Sequence, residues 1–160
     1  MARAVVQLVP NLAFGDAISQ QALTLRRMLR QSGFASEIYA EHVDVRLKGE
    51  ARPYRRLREE QGDEARVLFH FSIGSEVTDA YRLLPNPRVL VYHNITPPEF
   101  FRGINERVAS FCARGRDELK GLRLHCRAAL ADSDFNRAEL VSLGFETTSV
   151  LPIVLDPERY

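Results

Sequence analysis

The chain has 160 residues, 45% of them apolar and 27% charged, with a formal net charge of +1. That is enough for one compact domain with a sizeable core, and the balanced charge demands no acidic partner. No apolar run approaches the roughly 20 residues of a membrane span. The start, Met1-Ala2-Arg3-Ala4, turns polar too quickly for a signal peptide, so the expected setting is cytoplasmic. Cys112 and Cys126 form no Cys-x-x-Cys pair and have no evident metal partners; free thiols are expected.

In chain order, residues 4–9 form an apolar run that reads as the first strand, and 10–16 follow as a loop. Ala17, Ile18, Ala22, Leu25, Met28 and Leu29 recur at helical spacing up to Gly33, a natural helix stop. Residues 34–40 read as a second strand. Val43, Val45 and Leu47 alternate with charges and suggest a short edge strand or extended loop, and the charged stretch 48–64 a solvated helix and loop. Residues 67–71 form a third strand, 72–84 a loop and helix, and 89–92 a fourth strand. Residues 99–122 are helical in composition, with Gly103, Gly115 and Gly121 as candidate breaks. A strand of small residues at 128–131, a helix at 135–143 capped by Ser133-Asp134, and a strand at 147–151 complete the pattern.

Strands alternating with helices along the whole length predict an α/β fold, a Rossmann-like doubly wound parallel sheet covered on both faces. The right-handed crossover rule then places every strand-to-helix loop on one edge, where ligands bind in such sheets. Three polar clusters fall there: Phe14-Gly15-Asp16, His93-Asn94-Ile95-Thr96 and Asp132-Ser133-Asp134-Phe135-Asn136. The central one follows a buried strand and runs into Pro97-Pro98, which stops the strand and stiffens the loop.

Each candidate has a plainer reading beside it. Gly15-Asp16 can meet a phosphate at a helix start, or be an ordinary turn and cap. His93 can donate to a sugar hydroxyl or act as acid or base, or be a satisfied structural histidine. His70 also ends a strand, but with no polar cluster beside it the structural reading is preferred. Asn136 and Arg137 open a helix towards the ligand edge and can meet a ligand or merely cap and cover that helix. Arg114, Arg116 and Lys120 with Asp117 and Glu118 read as a solvated helix face with local ion pairs. The basic stretch around 52–58 is mixed with flanking acids and has Tyr54 as its one aromatic, so no nucleic-acid partner is expected. Neither the Gly-x-Gly-x-x-Gly fingerprint nor a P-loop is present, which disfavours a nucleotide-cofactor enzyme. The acidic residues of a phosphoacceptor receiver are missing from the ends of strands one and three.

Taken together, four stretches resemble the N-terminal domain of a GT-B glycosyltransferase of the retaining glycosyltransferase family 4 type. They are Gly15-Asp16-Ala17-Ile18-Ser19 with Leu29-Arg30-Gln31-Ser32-Gly33; Tyr92-His93-Asn94-Ile95-Thr96-Pro97-Pro98-Glu99-Phe100-Phe101; Gly115-Arg116-Asp117-Glu118-Leu119; and Ala131-Asp132-Ser133-Asp134-Phe135-Asn136-Arg137 with Gly144-Phe145. The resemblance implies one half of a two-domain transferase, moving a sugar from a nucleotide-diphosphate sugar to a glycan or lipid-linked acceptor, as in polysaccharide biosynthesis. Residues 1–160 would be the acceptor-side domain, inactive alone, and the donor-binding C-terminal domain, with its basic pair and Glu-rich motif, would lie outside this chain. By the same resemblance Gly15 and Asp16 lie near the phosphates or acceptor, His93 faces the transferred sugar, and Asn94 and Thr96 shape the cleft. No cofactor or bound metal is implied, and a lipid-linked acceptor would bring peripheral membrane association. The competing expectation is a stand-alone α/β ligand-binding or interaction module that uses the same edge without chemistry.

Overall fold

A computed structural model describes residues 3–154. Seven parallel strands form one sheet in the order β3-β2-β1-β4-β5-β6-β7. They are β1 (Val5–Leu12), β2 (Ile38–Val43), β3 (Arg52–Pro53), β4 (Arg66–Phe71), β5 (Arg88–Tyr92), β6 (Ala128–Ala131) and β7 (Thr148–Val150). The helices between them are α1 (Ala17–Gln31), α2 (Leu57–Gln61), α3 (Glu76–Leu83), α4 (Glu106–Leu122) and α5 (Asp134–Ser142). From β1 the chain winds outward to β2 and β3, then returns to pair β4 on the other side of β1. Right-handed crossovers in opposite directions put the connecting helices on opposite faces, giving the expected Rossmann-like doubly wound architecture.

Both faces are buried, so the central strands carry no clean polar alternation. One face packs Val6, Leu8, Phe69, Phe71, Leu90 and Tyr92 into the larger core, with Val77, Tyr81 and Leu119. The other packs Val9, Ile38 and Ala40 with Ala22 of α1. Among the described residues no helix is long and apolar enough to cross a membrane. Cys112 and Cys126 are free thiols.

Several boundaries differ from expectation. β1 continues through Pro10 to Leu12. The backbone N–H groups of Val5 and Gln7 point to β2's side of the sheet, so by alternation the position of Pro10 faces β4, whose pairing with β1 ends at Leu8 with Phe69. A missing donor there breaks no ladder. β2 starts at Ile38, preceded at Ala35 by an isolated bridge to Ala4. Val45 and Leu47 lie in a 3-10 turn, and the outer edge strand is instead Arg52–Pro53, inside the stretch read as helix and loop. Gly115 and Gly121 sit within α4 and do not break it.

Candidate functional site

The point where the chain reverses its winding direction lies between β1 and β4, and a cleft of about 420 Å³ opens there beyond the strand ends. Its polar lining comes from Asn11 at the end of β1 and Asp16 after it, Ser72 after β4, and His93, Asn94 and Thr96 after β5. Val108 and Cys112 of α4 close one side. Burial pushes the Cys112 thiol up, so it stays protonated and poorly nucleophilic.

His93 stands at the end of a buried staircase of polar groups. Gln7 is level with Leu68 on β4; two residues further on is His70, level with Val91 on β5; two further still is His93. Steps of two keep the three side chains on one face of the sheet. Gln7 Nε2 donates to the Ala22 carbonyl at 2.9 Å, and Gln7 Oε1 lies 2.8 Å from His70 Nε2. His70 Nδ1 lies 2.9 Å from His93 Nε2, with the two rings nearly parallel. His93 Nδ1 has no hydrogen-bond partner among the described residues and lies 3.9 Å from Asp132 Oδ2.

The His93 side chain is 1% exposed. Burial lowers its pKa to about 4, against the opposing pull of the Asp132 and Asp16 carboxylates. His70 is driven well below its ordinary value, first by burial and then by His93. Both imidazoles are therefore neutral at pH 7.

The loop after β5 is held firmly. His93 N–H donates to the Phe71 carbonyl at 3.0 Å and prolongs the β4 side of the sheet. Asn94 then takes φ +69°, the one non-glycine positive φ among the described residues. Asparagine tolerates this conformation better than most residues, and here its Oδ1 accepts from Ile95 N–H at 2.7 Å. Ile95 is fully buried. Arg116 of α4 donates to the Ile95 carbonyl at 2.6 Å and to Glu139 of α5 at 3.1 Å. Glu139 in turn accepts from the Tyr92 hydroxyl at 2.6 Å. Arg116 thus clamps the loop between two helices, while Arg114–Glu118 and Lys120–Asp117 are the local pairs expected of a helix face.

Of the residues singled out from sequence, His93, Asp16, Asn94 and Thr96 come together in the cleft. Asp16 also caps α1, with Oδ2 accepting from Ser19 N–H at 2.8 Å and from Ser19 Oγ at 2.7 Å. Gly15, at φ +79°, makes the turn that delivers Asp16. Asn136 is buried behind the site: its amide donates to Asp132 Oδ1, leaving Oδ2 towards His93. Arg137 pairs with Asp134 at 3.3 Å on its own helix and lies away from the cleft. Gln7, His70 and Asn11 are not among the site residues expected from sequence, and Asp132 is expected only as part of the polar cluster at 132–136. A lone glutamine inside the apolar run Val5-Val6-Gln7-Leu8-Val9 was the available signal for the first. No protein-family model matches this chain, and no curated protein sequence matches it.

Proposed function

We propose that the chain is the acceptor-side domain of a retaining glycosyltransferase that moves a sugar from a nucleotide-diphosphate sugar to a glycan or lipid-linked acceptor. The observation that carries this reading is the group of acceptors around His93, which lines the cleft. Neutral His93 Nδ1 lies beside Asp132, and Asp16 lies close enough to pull on its titration. Such a group suits hydroxyls, and its two carboxylates repel phosphate. In this reading His93 and its neighbours grip the neutral sugar, and the charge of the leaving diphosphate is met by the second domain. His93 acts through hydrogen bonding, since a side chain that charges only near pH 4 brings no cation to the transition state.

The test is sugar transfer by the intact gene product, measured with a panel of nucleotide-diphosphate sugars and glycan acceptors. His93→Ala should lower kcat/KM by roughly 10²–10³, the usual effect of removing one well-placed hydrogen-bonding group from a transition state. No transfer with any donor, or full activity in the variant, contradicts the proposal. One observation favours a second reading. Neither lysine nor arginine is among the described residues lining the cleft, as fits a module that binds a hydroxylated ligand without chemistry. Saturable sugar binding without turnover would select it.

A further inference from the structure

We propose that Gln7 and His70 are positioning residues that fix His93 as its Nε2–H tautomer and present Nδ1 as a hydrogen-bond acceptor beside Asp132. The argument runs along the staircase from its closed end. The Ala22 carbonyl can only accept, so the Gln7 amide nitrogen must face it and Gln7 Oε1 must face His70. Oε1 can only accept, so His70 Nε2 carries the proton. A neutral, fully buried His70 then has a bare Nδ1, which lies 2.9 Å from His93 Nε2. His93 must donate from Nε2, and its own lone pair is left on Nδ1. Every contact from Ala22 to His93 Nε2 is satisfied by this one arrangement, with His93 Nδ1 left without a partner among the described residues, and reversing any step sets two donors or two acceptors against each other.

The consequence concerns the ligand. His93 accepts where a free histidine beside a carboxylate would donate. Left alone, an imidazole facing Asp132 at 3.9 Å would place its proton on Nδ1 and close onto the carboxylate. The relay from Gln7 forbids this, so Nδ1 and Asp132 Oδ2 both remain acceptors. Nδ1 is enclosed in this structure, and a group reaching both must donate one hydrogen to Nδ1 and a second to Asp132 Oδ2. The group bound there is therefore a hydrogen-bond donor; that it belongs to a sugar rests on the function proposed above.

The tautomers are read by long-range proton–nitrogen NMR of the ¹⁵N-labelled 160-residue chain at pH 7, which separates protonated from bare ring nitrogens. Wild type should show Nε2 protonated and Nδ1 bare in both His70 and His93. In Gln7→Leu the acceptor for His70 is lost. The relay should then reverse, with His70 donating from Nδ1 and the His93 proton moving to Nδ1 towards Asp132. Gln7→Glu keeps an acceptor facing His70 and should retain the wild-type pattern at His93. A His93 proton on Nδ1 in wild type overturns the proposal whether or not any variant folds, and so does a His93 pattern unchanged in folded Gln7→Leu. The readout needs neither ligand nor turnover. A reversed relay with no transferase activity would leave the positioning role standing and remove only the sugar.

Discussion

Gly115→Ala should destabilise the chain, although replacing glycine by alanine inside an exposed helix normally gains about 1 kcal/mol. Gly115 is buried in the middle of α4, where it meets the loop after β4. A Cβ there would lie 2.7 Å from Gly74 N, 3.1 Å from Ile95 Cδ1 and 3.2 Å from the Ile73 carbonyl carbon. Two of these three are backbone atoms, which cannot rotate away, so helix and loop must separate. Overpacking of this kind costs about 1–3 kcal/mol, and rigid backbone contacts belong at the upper end. After the gain in helix propensity, a net loss of about 1–2 kcal/mol is expected. Gly121→Ala is the internal control. Its Cβ would meet only Arg82 Nη2, at an ordinary 3.5 Å, so the propensity gain of up to about 1 kcal/mol should survive. Urea unfolding of both variants, followed by circular dichroism, separates the cases. Equal stabilisation by both substitutions would refute the close packing of α4 against the Ile73-Gly74 loop. Because Ile73 and Ile95 flank cleft residues, Gly115→Ala should also weaken ligand binding.

Acid should unfold the chain earlier than its carboxylates alone require. The unfolded chain takes up a proton on His93 near pH 6.5, whereas the folded chain does so only at about 4. The contribution is therefore complete above pH 6.5 and is lost as the pH falls from 6.5 to 4, by about 3 kcal/mol. His70 acts in the same direction. Urea midpoints measured across that window should fall for wild type and fall less for His93→Asn; a flat profile would contradict neutral burial of the pair. Tyr92→Phe removes the hydroxyl that donates to Glu139 at 2.6 Å. A bond to a charged acceptor is worth about 1.5–3 kcal/mol, and the 24% exposure of the Glu139 side chain places this one at the lower end. The unfolding free energy should drop accordingly, and an unchanged value would remove Tyr92 from the clamp on the cleft loop.

The alternation of strands and helices was legible because periodicity and turn residues survive in single stretches: the runs at 4–9, 67–71 and 89–92 each became a strand. The two-residue edge strand Arg52–Pro53 has no pattern to read. Pro10 misled because its effect depends on which neighbour its missing N–H faces, a property of strand order. Gly115 looked like a helix break because a close backbone approach lies in the partner loop and not in the helix. At the site, the convergence of Asp16, His93, Asn94 and Thr96 followed from topology alone. The support behind them did not. Gln7, His70 and His93 are far apart in sequence and meet only through the register of three strands. His70 has no polar cluster beside it in the chain, and its partners Gln7 and His93 lie across the sheet. Arg137, close to Asn136 in sequence, turns instead to Asp134.

The central claim is that the cleft between the ends of β1, β4 and β5 binds a hydroxylated ligand through His93. Backbone-amide NMR titration of the 160-residue chain with methyl hexopyranosides tests it most directly. Shifts confined to Asn11, Asp16, Ser72, Asn94 and Thr96, and lost in His93→Ala with the remaining spectrum intact, are the predicted result. Shifts clustered instead at the opposite end of the sheet around Cys126 and Thr147, or an identical titration in the variant, would contradict it.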